Sequence, residues 1–147
     1  MESTTGPMQH FPSPDYLTLT YRSDLHFLVA RWQRPVSGAE TREGYQHILE
    51  AALLCQCPYW LLDGRRRTPA DAETTNWGLN EFFPTLSTHM GQTVFMSQLL
   101  SPTYQMLTMD LPAFAEADAN PDRTYFMRRF NDETSAVEWL QQAQQQL

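Results

Sequence analysis

The spacing of hydrophobic and polar positions changes along the chain and divides it into strands and helices. Residues 16–21 alternate leucine with threonine, which is the period of a half-buried strand rich in β-forming residues. Arg22, Ser23 and Asp24 then supply a turn, and residues 25–34 alternate again with apolar side chains on both faces. The two segments predict an antiparallel hairpin whose second strand is covered on both sides.

A long helix is predicted after this hairpin. Pro35 ends the second strand, and Ser37 with Glu40 matches the capping box that opens a helix. Apolar residues then recur on one helical face, at Tyr45, Ile48, Leu49, Ala52 and Leu53. Pro58 ends the helix, and Tyr59–Asp63 is a continuous apolar run, typical of a strand buried between helical layers. Strand, helix and strand in this order predict a right-handed crossover to a parallel neighbour.

The second half of the chain continues the alternation of helices and strands. A helix is predicted beyond Asp71, which Pro84 is expected to kink or restart. Its apolar positions are Trp77, Leu79, Phe82, Phe83 and Leu86. Residues 92–100 and Tyr125–Phe130 predict two further strands, the latter at an exposed edge, and residues 101–123 predict one short helix within irregular backbone. A final helix carries an apolar face formed by Ala136, Val137, Leu140 and Ala143.

Length and composition favour one domain. The chain has 147 residues, and its first 14 include three prolines, so we expect a flexible tail over 1–14 and a single domain over 15–147. The net charge of −7 argues against nucleic-acid binding, because phosphate neutralisation needs a net basic face. No stretch approaches the ~20 consecutive apolar residues that span a bilayer, so we expect a cytoplasmic protein without a membrane span.

The most distinctive polar segment follows the central apolar strand. A buried strand that opens into a charged loop before a helix is a usual place for function in α/β proteins. The candidate interaction or anion-binding loop consists of Asp63, Gly64, Arg65, Arg66, Arg67 and Thr68. The Asp63 carboxylate can cap nearby backbone N–H groups or pair with a following arginine. Its arginines form either a solvated loop or an anion cradle, together with the glycine turn and the N–H groups of the next helix start.

A second candidate is an adaptable apolar pocket, for which core packing is the alternative explanation. Its residues are Phe82, Phe83, Met96, Met106 and Met109. No nucleophile elbow of the Gly-x-Ser-x-Gly type occurs, and the histidines lie on separate elements without metal-ligand spacing. The sequence therefore predicts no enzyme, no metal site and no cofactor.

Three segments carry a resemblance to a known family: Phe27–Trp32, Tyr59–Asp63 and residues 130–140. With the predicted order of elements, the chain over residues 16–140 resembles the SpoIIAA-like (STAS-like) group of small α/β domains. The resemblance implies a single mixed, mostly parallel sheet of about five strands with helices packed on it. In better-known members, the loop after the central strand carries a serine or threonine that a partner kinase phosphorylates, which switches binding between protein partners. In this loop Thr68 is the only hydroxyl residue, and the Asp-Ser-Ser-Gly-type sequence is absent.

The expected function is that of a non-enzymatic, STAS-like regulatory or protein-interaction module. Its partner would be another protein, recognised through the candidate loop at the end of a rigid strand. The alternative is a carrier of a small apolar or phosphate-bearing ligand with CRAL-TRIO-like topology, in which the ligand lies against residues 106–114. The sequence leaves open whether the protein forms a homodimer.

Overall fold

One mixed six-stranded sheet organises the protein. The structure is a computed structural model, which describes residues 8–108, 119 and 123–145. The strands are β1 (Met8–Phe11), β2 (Leu17–Arg22), β3 (Phe27–Trp32), β4 (Tyr59–Asp63), β5 (Val94–Leu99) and β6 (Tyr125–Phe130). They lie side by side in chain order; β1, β2 and β3 are antiparallel, and β3 to β6 are parallel. The α/β class and the mixed sheet are confirmed, with six strands where about five were expected.

The additional strand, β1, lies within the segment for which the sequence predicts a flexible tail. Its backbone pairs antiparallel with β2, in a register that runs from Met8 opposite Arg22 to Phe11 opposite Leu19. Most of its side chains are exposed, so the strand shows none of the apolar alternation that marks a half-buried strand. Backbone hydrogen bonds, which leave no pattern in the sequence, thus hold part of the expected tail on the sheet edge.

Within the described residues, five helices connect or cover the strands. They are α1 (Gly38–Cys55), α2 (Ala72–Trp77), α3 (Leu86–Met90), α4 (Pro102–Thr108) and α5 (Glu133–Gln145). The predicted capping box of α1 is present, because the Ser37 hydroxyl accepts from the Glu40 N–H and the Glu40 carboxylate accepts from the Ser37 N–H. A π-helical turn and a 3₁₀ turn separate α2 from α3 around Pro84, which confirms the interruption predicted there.

The helices cover both faces of the sheet. On one face, Trp32 packs against Tyr45 of α1, with their ring centres 5.7 Å apart. On the other face, the Ser97 hydroxyl of β5 donates to the Ala136 carbonyl of α5 over 2.7 Å. Every residue of β4 is buried, and Trp60 is 0% exposed. The continuous apolar run of β4 is therefore explained by helices on both of its sides.

The contact between α1 and the sheet generates a test of this packing. A Cβ atom at Gly44 would lie 2.7 Å from Cζ3 of the buried Trp32 ring and closer still to Cη2. Alanine is the better helix former, yet we expect Gly44→Ala to lower the free energy of unfolding by about 1–3 kcal/mol because the ring has no room to move. Chemical denaturation measures this loss. The exposed neighbour Gln46→Ala is the control and should leave stability nearly unchanged; a stabilised Gly44→Ala protein would contradict the packing.

Candidate functional site

The carboxyl ends of β3 and β4 meet the amino end of α5 at one corner of the sheet. Asp63 is the last residue of β4 and lies opposite Arg31 of β3 in the parallel register. Glu133 is the first residue of α5. The Asp132 carboxylate accepts from the Ser135 N–H and caps this helix. The carboxyl edge of a parallel sheet is where α/β proteins usually bind partners, so this corner is the first place to look for function.

Asp63 is almost fully buried and is held by two arginines. Arg65 Nε donates to Asp63 Oδ1 and Arg65 Nη2 to Asp63 Oδ2, each over 3.0 Å. Arg31 Nη1 donates to Asp63 Oδ2 over 2.8 Å, and the backbone N–H of Arg65 donates to Asp63 Oδ1 over 3.1 Å. Both carboxylate oxygens are therefore engaged, and Asp63 fixes the two guanidinium groups while it is itself only 7% exposed.

Glu133 completes this arrangement from the opposite side. Its Oε1 accepts from Arg31 Nη1 over 2.9 Å, and its Oε2 accepts from Arg31 Nη2 over 3.4 Å. A weaker contact of 3.5 Å joins Glu133 Oε1 to Arg65 Nη2. We call these four residues, Arg31, Asp63, Arg65 and Glu133, the arginine clamp. Its two cations and two carboxylates alternate in space, with Asp63 inside and Glu133 at the surface.

The electrostatics of the clamp favour its ionised form. Burial by itself would raise the pKa of Asp63, but the hydrogen bonds from Arg65 and Arg31 outweigh it and hold this pKa below its usual value. Burial likewise opposes the charge of Arg31, yet the hydrogen bonds that it donates to Glu133 and Asp63 raise its pKa. Asp63 is therefore a structural anchor for the two arginines at neutral pH and has the wrong pKa for a general base or acid.

The three consecutive arginines of the predicted loop point to three different places. Arg65 turns back onto Asp63, and Arg66 is exposed, where its Nη1 donates to Gln33 Oε1 over 2.7 Å. Arg67 turns inward and is only 8% exposed. The structure therefore does not bring the three guanidinium groups together in one cradle.

The other parts of the predicted anion cradle already have partners within the chain. The Gly64 N–H donates to the Leu99 carbonyl over 2.8 Å. At the start of α2 the Asp71 carboxylate accepts from the Thr74 N–H over 2.7 Å. Thr68 is exposed, and its carbonyl accepts from Arg67 Nε. The loop thus presents single arginines to different surroundings, and Thr68 remains accessible from solvent.

A groove of about 590 Å³ runs beside the arginine clamp. Its lining consists of the clamp together with Trp32, Gln33 and Arg66. Arg31, Gln33 and Glu133 are not among the site residues predicted from the sequence. One signal was present for Arg31: it shares a strand face with Phe27 and Val29 on a strand predicted to be covered on both sides. A charged residue at such a position needs a partner of opposite sign.

The residues of the predicted apolar pocket do not lie around one cavity. Phe82, Phe83 and Met96 are buried within the core, where Phe82 and Phe83 pack against Tyr45. Met106 is 66% exposed on α4, and Met109 lies outside the described residues. The cleft nearest to this group has a volume of about 50 Å³, far below the ~300 Å³ at which sites for drug-sized ligands begin.

Within the described ranges 8–108 and 123–145, no group of three His, Cys, Asp or Glu residues is placed to hold a metal ion. In that same part of the chain, no helix combines the length and the hydrophobicity needed to cross a membrane. Cys55 and Cys57 carry free thiols; the Cys57 thiol is buried and donates to the carbonyls of His26 and Tyr59.

The clamp generates a stability prediction. Asp63→Asn keeps an acceptor for Arg65 but removes the charge that both guanidinium groups share, so we expect the free energy of unfolding to fall by about 1–3 kcal/mol. Chemical denaturation at neutral pH measures the loss. Glu133→Gln removes the more exposed carboxylate of the same clamp and should cost less than about 1 kcal/mol. Equal losses in the two variants would contradict the anchoring role of Asp63.

The lowered pKa of Asp63 adds a prediction of pH dependence. A carboxylate whose pKa is lower in the folded state stabilises the fold fully above its unfolded pKa, about 3.9 for Asp. That contribution is lost as the pH falls through the folded-state pKa. The stability difference between the native protein and Asp63→Asn should therefore stay constant above about pH 5 and shrink below about pH 4. A difference that persists undiminished in acid would show that another property of the side chain is responsible.

Comparisons with known proteins do not identify the function of this site. The chain matches no family model, no curated protein and no solved structure. The resemblance to STAS-like domains therefore remains a resemblance of element order and of short segments. The function of the site has to be argued from its own geometry.

Proposed function

We propose that this protein is a non-enzymatic recognition module that binds an acidic segment of another protein. The binding surface is the groove beside the arginine clamp, at the carboxyl ends of β3 and β4. The observation that carries the proposal is the buried carboxylate of Asp63, which holds Arg31 and Arg65 at the rim of the groove next to the exposed Arg66. The guanidinium groups of Arg31, Arg65 and Arg66 are thus presented together at one groove. The third arginine of the loop, Arg67, does not belong to this group.

Rigidity supports a role in binding. A surface arginine normally loses side-chain entropy when it is immobilised by a partner, which weakens the complex. In the clamp this entropy is already lost on folding, because Arg65 is fixed through its backbone N–H, its Nε and its Nη2. An incoming carboxylate would therefore meet pre-arranged N–H donors and would bind with a smaller entropic cost.

The charge balance of the groove supports an acidic partner. Three arginines line it against the two carboxylates of Asp63 and Glu133, so the groove carries a formal charge of +1 in a chain of net charge −7. Among the described residues Arg66 forms no ion pair, and its hydrogen bond goes to the neutral Gln33. The Glu133 side chain is 43% exposed, so a partner carboxylate can exchange with it on Arg31 and Arg65.

The resemblance to STAS-like domains supports the regulatory part of the proposal. In that family the loop after the central strand is the place where binding between protein partners is switched. Here the same loop supplies Arg65 and Arg66 to the groove and leaves Thr68 exposed beside them. Phosphorylation of Thr68 would place negative charge next to the arginines and weaken the binding of an acidic partner.

Binding of a fluorescein-labelled peptide of consecutive glutamates tests the proposal by fluorescence anisotropy. We expect the peptide to bind and its affinity to fall with added salt, and Arg66→Ala to weaken binding about tenfold, as expected for the loss of one charge-assisted hydrogen bond. Arg22→Ala is the matched control, because it removes the same charge at the opposite end of the β2–β3 hairpin. It should leave the affinity within about twofold.

Two results would contradict the proposal. If Arg22→Ala weakens binding as much as Arg66→Ala does, the peptide responds to overall charge and not to the groove. If a peptide of consecutive lysines binds as well as the glutamate peptide, the +1 charge of the groove has no part in recognition.

A further inference from the structure

Arg67 differs from the other arginines of the loop because its charge is buried without an acidic partner. It is 8% exposed, and among the residues that the structure describes it forms no ion pair. In the same sheet corner Arg31 and Arg65 both contact carboxylates. Removing a guanidinium group from water is costly unless hydrogen bonds and an opposite charge replace the solvent. A bound anion would supply the counter-charge that none of the described residues gives to Arg67.

Neutral contacts hold the Arg67 guanidinium in one orientation. Its centre lies 4.6 Å from the centre of the buried Trp32 ring, which is a cation–π contact. Its Nη2 donates to Thr41 Oγ1 over 2.8 Å, and its Nε points to the Thr68 carbonyl at 3.4 Å. These contacts fix the plane of the group and leave N–H donors unused, since a guanidinium has more donors than the two that are engaged.

The group lines the cleft of about 50 Å³ described above, which is partly open to solvent. Polar groups from several elements line the same cleft, among them Tyr45, Thr75, Gln98 and Tyr104. Gln98 Oε1 is buried there without a hydrogen-bond partner. Burial raises the pKa of Tyr45 to about 12, so its hydroxyl remains protonated and can donate to an anion at every physiological pH. The cleft thus has mixed polar and apolar walls, with a fixed positive charge among them.

We propose that this cleft binds the carboxylate group of a small molecule, with Arg67 as the residue that receives the charge. A planar carboxylate matches the guanidinium fork, and a pair of this kind forms two parallel hydrogen bonds. The volume corresponds to about three or four water sites, which is enough for a carboxylate and its first carbon. The remainder of such a molecule would leave through the open side.

This site is separate from the groove proposed for protein recognition. Gln98 and Met127 of the cleft lie on the sheet face covered by α1, whereas the arginine clamp lies on the face covered by α5. Arg66 belongs to the groove and Arg67 to the cleft. Adjacent residues of one loop therefore serve two sites.

Sodium acetate and sodium formate are the probes, titrated into the full-length protein at constant ionic strength against sodium chloride. Two-dimensional NMR of the isotope-labelled protein should show saturable shifts at Tyr45, Thr75, Gln98 and Arg67. Tryptophan fluorescence should follow the same curve, because Trp77 lines the cleft and Trp32 stacks on Arg67. Arg67→Met should weaken acetate binding at the cleft at least about tenfold, whereas Arg22→Met, which removes an arginine at the opposite end of the β2–β3 hairpin, should leave it within about twofold.

If Arg67→Met does not fold, the titration of the wild-type protein by itself still tests whether the cleft binds a carboxylate. Shifts that are linear in acetate and equal to those caused by chloride would overturn the proposal, since the cleft would then hold only water. Saturable shifts at Arg65 and Arg66 without any at the residues of the cleft would place the anion in the groove alone and would also overturn it. So would saturation by inorganic phosphate without any response to acetate or formate, because the ligand class would then be wrong.

Discussion

The buried carboxylate of Asp63 is the interaction on which the polar end of the sheet depends. It ends the most buried strand of the protein, and it receives donors from a neighbouring strand and from its own following loop. A carboxylate at this depth is stable only with cations beside it, and the cations in turn are held by it. These mutual contacts fix the direction of the loop. They thereby also fix the position of Arg66 and the shape of the groove.

The same constraint separates the two arginines that come next. Arg65 pairs with Asp63, whereas Arg66 points outward to Gln33 and Arg67 points inward onto Trp32. The three consecutive arginines therefore lie in three distinct chemical environments. Arg65 forms an ion pair within the chain, Arg66 is an exposed cation and Arg67 is a buried cation. The function proposed for the groove and the ligand proposed for the cleft rest on different members of this row.

The element order was predictable because each element left a periodic or capping signal in the sequence. The stripe of α1, its Ser37 cap and the apolar run of β4 all appear where the pattern places them. β1 left no such signal, because three of its four side chains are exposed and its pairing with β2 is made by the backbone. Burial also explains why Phe82, Phe83 and Met96 pack in the core, although Phe83 forms part of the wall of the small cleft beside Arg67.

The site was predictable only in part. The sequence marks the loop from Asp63 to Thr68, since a charge cluster after an apolar strand is visible in one dimension. It does not show that Glu133, distant in the chain, closes the clamp, because that contact depends on how α5 lies on the sheet. Nor does it distinguish Arg67 from its neighbours, because the direction of each side chain is set by packing around Trp32.

Exchange of the arginine side-chain protons tests the central role of Asp63 most directly. In NMR spectra recorded at neutral pH, the Nε–H of Arg65 should give a distinct and slowly exchanging signal, because it donates to the buried carboxylate. The Nε–H of Arg66 should exchange rapidly and serves as the internal reference. Protection of Arg65 that is lost in Asp63→Asn is the predicted result. Equal and rapid exchange at Arg65 and Arg66 in the native protein would contradict the hydrogen bond between Arg65 and Asp63. It would thereby contradict the clamp and the recognition groove proposed beside it.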